Sequence, residues 1–443
     1  MSIKQQRLFI LWVMLAMFGL MAWAQGANKY LREGASGAAN GNDWTDAYTS
    51  LTTLESNLAR GDTGYVADGT YGGVTFNTAV SGTTVITLKK ATVADHGTST
   101  GWLDSYGDGI AYIDDIDIQV SDITIDGAYK YGFEMITADG GGCIFMSYVD
   151  TAARANITIR YVNMHGDEAD GYAWLTDTRC IYAAPHNGSV GSHLTNLVVE
   201  NCNMHAVSTA VQIEQISNAN LNNIIFQSNI IHGLNGIGGA GAHANDLYMT
   251  STKRVIFRYN SVSNTASVGF YPSYSGGYYE IYGNTWSNAD QCISAFATGS
   301  YPDTKIYNNT FYDCYYGVLD YSAGSLTGSV SNNIFYSLGG GNSYPGMDKD
   351  YNWHTGTTSE PNGVDGGAVN PFSSGFTIAT NIAADYPRNK GIALSSTYQT
   401  DVAGNTRGAD GTWDMGAFEY ASGGGESQVW PTNVVVTETL IIR

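Results

Sequence analysis

Along the middle of the chain the apolar and polar positions repeat in one short phrase. "KIYNNTFYDC" (305–314) has near-copies in "EIYGNTWSNADQC" upstream and "SVSNNIFYSL" downstream. With Asn229, Asn260, Asn284, Asn309 and Asn333 as register marks, the steps are 31, 24, 25 and 24 residues. In two earlier copies, "NITIRYVNMHG" and "NLVVENCNMHA", Val162 and Cys202 hold the mark. Three residues before the mark stand Ile159, Val199, Phe226, Phe257, Ile281, Ile306 and Val330. Two after it stand Met164, Met204, Ile231, Val262, Trp286, Phe311 and Phe335. Both columns are wholly apolar, whereas the column two before the mark reads Arg160, Glu200, Gln227, Arg258, Tyr282, Tyr307 and Ser331. Period-two alternation turns the apolar columns inward and the mixed one outward.

The two inward columns are an odd number of residues apart, so a bend at the mark must reset the alternation. Asn suits a bend because it tolerates left-handed backbone angles and bonds its own backbone. A further apolar patch follows at Val268, Cys292 and Gly317, so each unit predicts about three short strands. A unit of that size cannot bury its own apolar face and must stack on its neighbours. Like residues then lie over like, and the Asn column becomes an amide ladder in a parallel solenoid.

Composition agrees. Only 14% of residues are charged, while Gly (54) and Tyr (31) abound, which favours strands joined by tight turns and an all-β class. One helical turn is predicted near "SLTTLESNLARG". At the start, Lys4 and Arg7 precede "LFILWVMLAMFGLM" and an A-x-A end, the pattern of a signal peptide over residues 1–24. Its apolar run is short for a membrane span, so no transmembrane segment is expected. The organisation expected is this leader, a solenoid over 25–420, and a Gly/Ser linker with a terminal strand over 421–443. That strand is a candidate for self-assembly.

A mature chain would be secreted, extracellular or at the cell surface, with 18 basic against 40 acidic side chains, net −22. Such a field disfavours nucleic acid and anionic membranes. Of the five cysteines, Cys180 and Cys202 are 22 apart, as are Cys292 and Cys314, yet neither pair shares a column.

Two further stretches, "GDTGYVADGTYGGVTF" (61–76) and "DVAGNTRGADGTWDMGAFEY" (401–420), complete a resemblance. From Lys29 to Tyr420 the chain resembles the right-handed parallel β-helix of the pectin-lyase-like superfamily. The second stretch is similar to the closing segment of bacterial surface-attached members. The resemblance implies a polysaccharide or cell-surface glycan as partner. It also implies, for a polysaccharide lyase, β-elimination beside a uronate carboxylate neutralised by Arg or Ca²⁺.

The residues that fit such chemistry gather in "AHANDLYMTSTKRVIFRYN" (242–260). Lys253 or His232 would be the base, Arg258 would stabilise the carboxylate and Tyr248 would donate the proton. His243, Asp246 and Arg160 are candidate substrate contacts, as are the outward aromatics Tyr282, Tyr307 and Tyr312. Asp167, Glu168 and Asp170 in "HGDEADGYAW" would suit Ca²⁺. His165, His205 and His232 share the column three after the mark. Two rival readings stand beside the lyase: a non-catalytic surface protein such as an adhesin, envelope component or filament subunit, and a glycoside hydrolase using a carboxylate pair near Asp246 and Glu214.

Overall fold

The computed structural model describes residues 26–420, apart from 139, 149–152, 168–176, 186–193, 215–221, 235–243, 296–298 and 323. The leader and the terminal strand expected from the sequence lie outside these residues. The described chain winds as a parallel β-helix with three faces. The first face is a 12-stranded sheet running from Asn28–Leu31 to Met347–Asp350. The second face stacks strands such as Val162–Gly166, Asn203–His205 and Thr310–Tyr312. The third stacks strands such as Arg179–Pro185, Thr209–Ile213 and Asn245–Thr250. Second and third faces are continuous where Ser261–Ser273 and Thr285–Ala295 run round the corner between them. No helix among the described residues is long and apolar enough to cross a membrane.

Both apolar columns face the interior in the expected register. Phe226 pairs with Phe257, Phe257 with Ile281, and Ile281 with Ile306 on the first face. On the second, Met164 pairs with Met204, Met204 with Ile231, and Trp286 with Phe311. Trp286, Phe311 and Phe335 form a ring stack with centroids 5.0 and 4.9 Å apart and planes within 10° and 7°.

The bend works differently from the expectation. The residue before the mark carries the left-handed angle: Tyr161, Asn201, Ser228, Tyr259, Gly283, Asn308, Asn332 and Tyr351 have φ between 53° and 66°. The marked Asn is instead a buried hydrogen-bond hub. From Asn260 through Asn352 each Oδ1 accepts both the backbone N–H and the side-chain amide of the Asn one rung earlier, at 2.8–3.0 Å, and Asn229 Oδ1 accepts the Cys202 N–H. Each Nδ2 also donates to a carbonyl of the first face, as Asn284 does to Phe257 at 2.8 Å. Asn352, outside the regular spacing, ends the ladder by donating to Glu360 Oε2 at 2.9 Å.

The first end of the solenoid is covered. The helix Leu51–Ser56, capped by Ser50, turns Leu51 and Leu54 into the core beside the first rungs. At the far end the chain folds back over the outer side of the first face. Tyr398 meets Tyr282 and Tyr307 edge-on at 4.8 and 5.1 Å, and Tyr259 reaches Thr400. The closing segment is knotted by its own carboxylates. Asp401 accepts the Glu419 N–H, Asp414 accepts those of Asn389 and Tyr420, and Glu419 accepts those of Gly408 and Asp414. Arg407, buried, lies 3.5 Å from Glu419.

All five cysteines are buried free thiols. Cys143 stands directly opposite Cys180, since their neighbours pair Gly142 with Arg179 and Ile144 with Ile181. Direct neighbours in a parallel sheet lie about 4.8 Å apart, wider than the roughly 3.8 Å Cβ separation a disulfide prefers.

Candidate functional site

The three outer sides offer a ligand very different surfaces. On the first, the outward column is tied up in a ladder of its own. Arg160 bonds Asp126 at 2.8 Å and lies 3.8 Å from Glu200, which accepts from Gln227 at 2.6 Å. Arg258 donates to Gln227 Oε1 at 2.8 and 2.6 Å and to the Tyr282 hydroxyl at 2.8 Å. Tyr282 is only 2% exposed, because Tyr398 covers it. Arg160, Arg258, Tyr282 and Tyr307 are therefore engaged by the fold. Period-two alternation says which side of a strand faces out, but not that a segment a hundred residues later lies on top.

On the second side, His165, His205 and His232 form a stack, rings 4.7 Å apart and within 8° of parallel. Burial, with the flanking imidazoles adding, pushes His205 down to about 3, and burial lowers His232 as well. Further along, Tyr312 stacks on Tyr336 at 5.4 Å and stays 38% exposed, with Phe372 and Phe376 at its edges.

The third side carries a row of partly exposed side chains that ends on the buried Tyr271. Long stretches between strands border it in sequence: 167–178 and 235–244 lead into its strands, and 186–193 and 214–223 lead away. Phe145, Tyr182, Gln212, Tyr248 and Tyr271 occupy one outward column, one residue per rung, each in register with the next. Tyr248 and Tyr271 rings lie 5.4 Å apart. The Arg179 guanidinium sits 4.5 Å from the Tyr182 ring centre, bonds Asp177 at 2.8 and 2.9 Å and donates to Gln212. Gln212 donates in turn to Glu214. Burial raises the Tyr182 and Tyr248 hydroxyls, with Glu214 contributing, and takes Tyr271 to about 12. Tyr182 and Gln212 carry no mark in the sequence, because the stretches between the second and third strands vary too much in length to show the column.

The four residues expected to act together are dispersed. Lys253 lies in the turn towards the first face, Arg258 on the first face, His232 on the second and Tyr248 on the third. They do not converge on one sugar. Glu168, Asp170 and His243 lie outside the described residues, leaving Asp167 as the described part of the proposed Ca²⁺ set.

Asp246 is not on the surface at all. It is fully buried inside the helix, in an inward corner column with Cys143, Cys180, Ala210, Gly269, Cys292 and Gly317. Its Oδ1 accepts from Thr265 at 2.8 Å, and burial raises its carboxyl to about 8. Two consecutive residues, Asp246 and Leu247, point inward at this corner, so alternation misplaces it. A hydrolase pair of Asp246 with Glu214 is thereby removed.

Asp410, Asp414 and Glu419 bring carboxylate oxygens within 4.8 Å of one another. Backbone N–H groups and Arg388 at 2.5 Å from Asp410 already occupy them. Burial lifts Asp414 to about 6 and Glu419 to about 7.

Among solved structures, that of pectate lyase Pel9A is similar to this chain, with a TM-score of 0.55. The likeness covers 89% of this chain and 97% of that one at 13% identity, a similarity of fold. No protein-family model matches the chain, and no curated protein does.

Proposed function

We propose that the protein binds an extended polysaccharide, extracellular or at the cell surface, along the outer side of the third face. The observation that carries this is the row Phe145, Tyr182, Gln212 and Tyr248, one partly exposed side chain per rung. Rungs repeat about every 4.8 Å, close to the length of one ring in an extended glycan, so successive sugars would meet successive side chains. Tyrosine offers each sugar a flat apolar face and a polar tip. The likeness to a pectate lyase agrees with a glycan partner.

Cleavage by β-elimination needs a neutral base and a cation at the same sugar. The expected set is divided among faces, and Arg179 is held by Asp177 and Gln212. We therefore favour binding without cleavage. The experiment is affinity electrophoresis against a panel of soluble polysaccharides, with Tyr182→Ala/Tyr248→Ala as control. Uronate polymers, with and without Ca²⁺, are followed in parallel for an unsaturated ultraviolet-absorbing product. Retardation that the double variant loses, with no such product, is expected. Unchanged retardation of the variant would move the site elsewhere, and an accumulating product would restore the lyase.

A further inference from the structure

We infer that the third face selects neutral glycans over polyuronates, a conclusion that rests on the binding reading above and names its ligand class. Among the described residues of the strands on that face, Arg179 is the single cation. Its guanidinium already has partners: Asp177 through two nitrogens, Gln212 through Nε, and the face of Tyr182. The next cations, Lys253 and Arg254, lie beyond the strand Asn245–Thr250, in the turn to the first face.

Carboxylates, by contrast, line the path. Asp117 stands in the same outward column two rungs before Tyr182, by way of Phe145. Glu214 stands two residues beyond Gln212 on the same rung, and the Asp177 side chain is 75% exposed beside Arg179. A polyuronate would set one negative charge on every sugar against this row, inside a field already at −20 for the whole chain. A neutral chain meets only rings, an amide and acceptors for its hydroxyls. The Gln212–Glu214 pair supplies those acceptors, with Arg179 fixing the amide's orientation.

The test is calorimetric titration of the full chain with neutral polymers (a β-glucan, a xylan, a mannan) and with polygalacturonate and alginate. Each is run with Ca²⁺ and with chelator, at low and high NaCl. At least one neutral polymer is expected to bind about tenfold or more tighter than either polyuronate, with little response to salt. In Glu214→Lys the neutral-to-acidic affinity ratio is expected to narrow by about threefold or more. Polyuronate binding equal to or tighter than every neutral polymer, in either Ca²⁺ condition, overturns the inference while leaving the glycan site standing. An unchanged ratio in Glu214→Lys also overturns it. Binding of no polymer at all removes the glycan site itself, and the inference with it.

Discussion

Asp246 and Asn284 are both buried polar residues, yet they do opposite things to the fold. Asn284 has every polar atom used: Oδ1 receives two donors from Asn260, and Nδ2 donates to Asn309 and to carbonyls. Asn284→Ala would strand two buried donors on Asn260. A loss of about 3 kcal/mol is expected, measured by denaturant unfolding. Asp246 sits among Cys, Ala and Gly, and its carboxyl is stable there chiefly in the protonated form. Its folded value of about 8 lies above the unfolded value near 3.9, so its contribution is intact at about pH 4 and lost as pH rises towards 8. The melting temperature of Asp246→Asn minus that of the parent should therefore grow between those limits and level off above. His205 tilts the other way. Its folded value of about 3 lies below the unfolded 6.5, so stability is present above pH 6.5 and falls with acid. His205→Asn should blunt that acid loss; equal acid sensitivity would show that the stack does not hold the rings neutral.

At the scale of the rung, the sequence made most of the frame legible. Two apolar columns, the Asn mark and three strands per turn could be read because the step from Asn260 to Asn333 is almost constant. The first and second strands flank a bend of fixed length, so their registers survive in the text. The third strand follows stretches of variable length and begins with two inward residues in succession. Alternation therefore places Asp246 on the surface and shows only Tyr248 of the Tyr182–Gln212–Tyr248 row. The left-handed position lies one residue before the Asn mark and leaves no signal in residue type, since Tyr259 and Tyr351 occupy it as readily as Asn308. The ring stack gives this scale its own prediction. Phe311→Ala should cost about 3–5 kcal/mol, because a cavity between Trp286 and Phe335 cannot close without breaking strand register. Phe311→Leu should recover most of it, as read from the same unfolding curves.

For the whole molecule, the closing segment matters more than its lack of regular structure suggests. Tyr398 fills the angle between Tyr282 and Tyr307, and the Asp401–Asp414–Glu419 knot holds it there. Tyr398→Ala should lower the denaturation midpoint by an amount equivalent to about 2 kcal/mol and raise the fluorescence quenching of Tyr282 and Tyr307 by added iodide. Glycan retardation should survive the change, because the third face lies on a different side of the solenoid. Loss of both would mean that the cover braces the third face as well.

That cover also fixes an order of events. Hydrogen bonds between successive rungs join residues 19 to 31 apart along the Asn ladder, so rungs can add one at a time as the chain emerges. The Tyr259–Thr400 contact spans 141 residues, and Ala417 reaches Thr310 across 107. Those closures must wait until nearly the whole chain has been made. Folding should therefore finish from its last-made end, with protection from hydrogen exchange appearing at the Gly416 and Ala417 amides, which bond Asn332 and Thr310, after the rungs themselves have set.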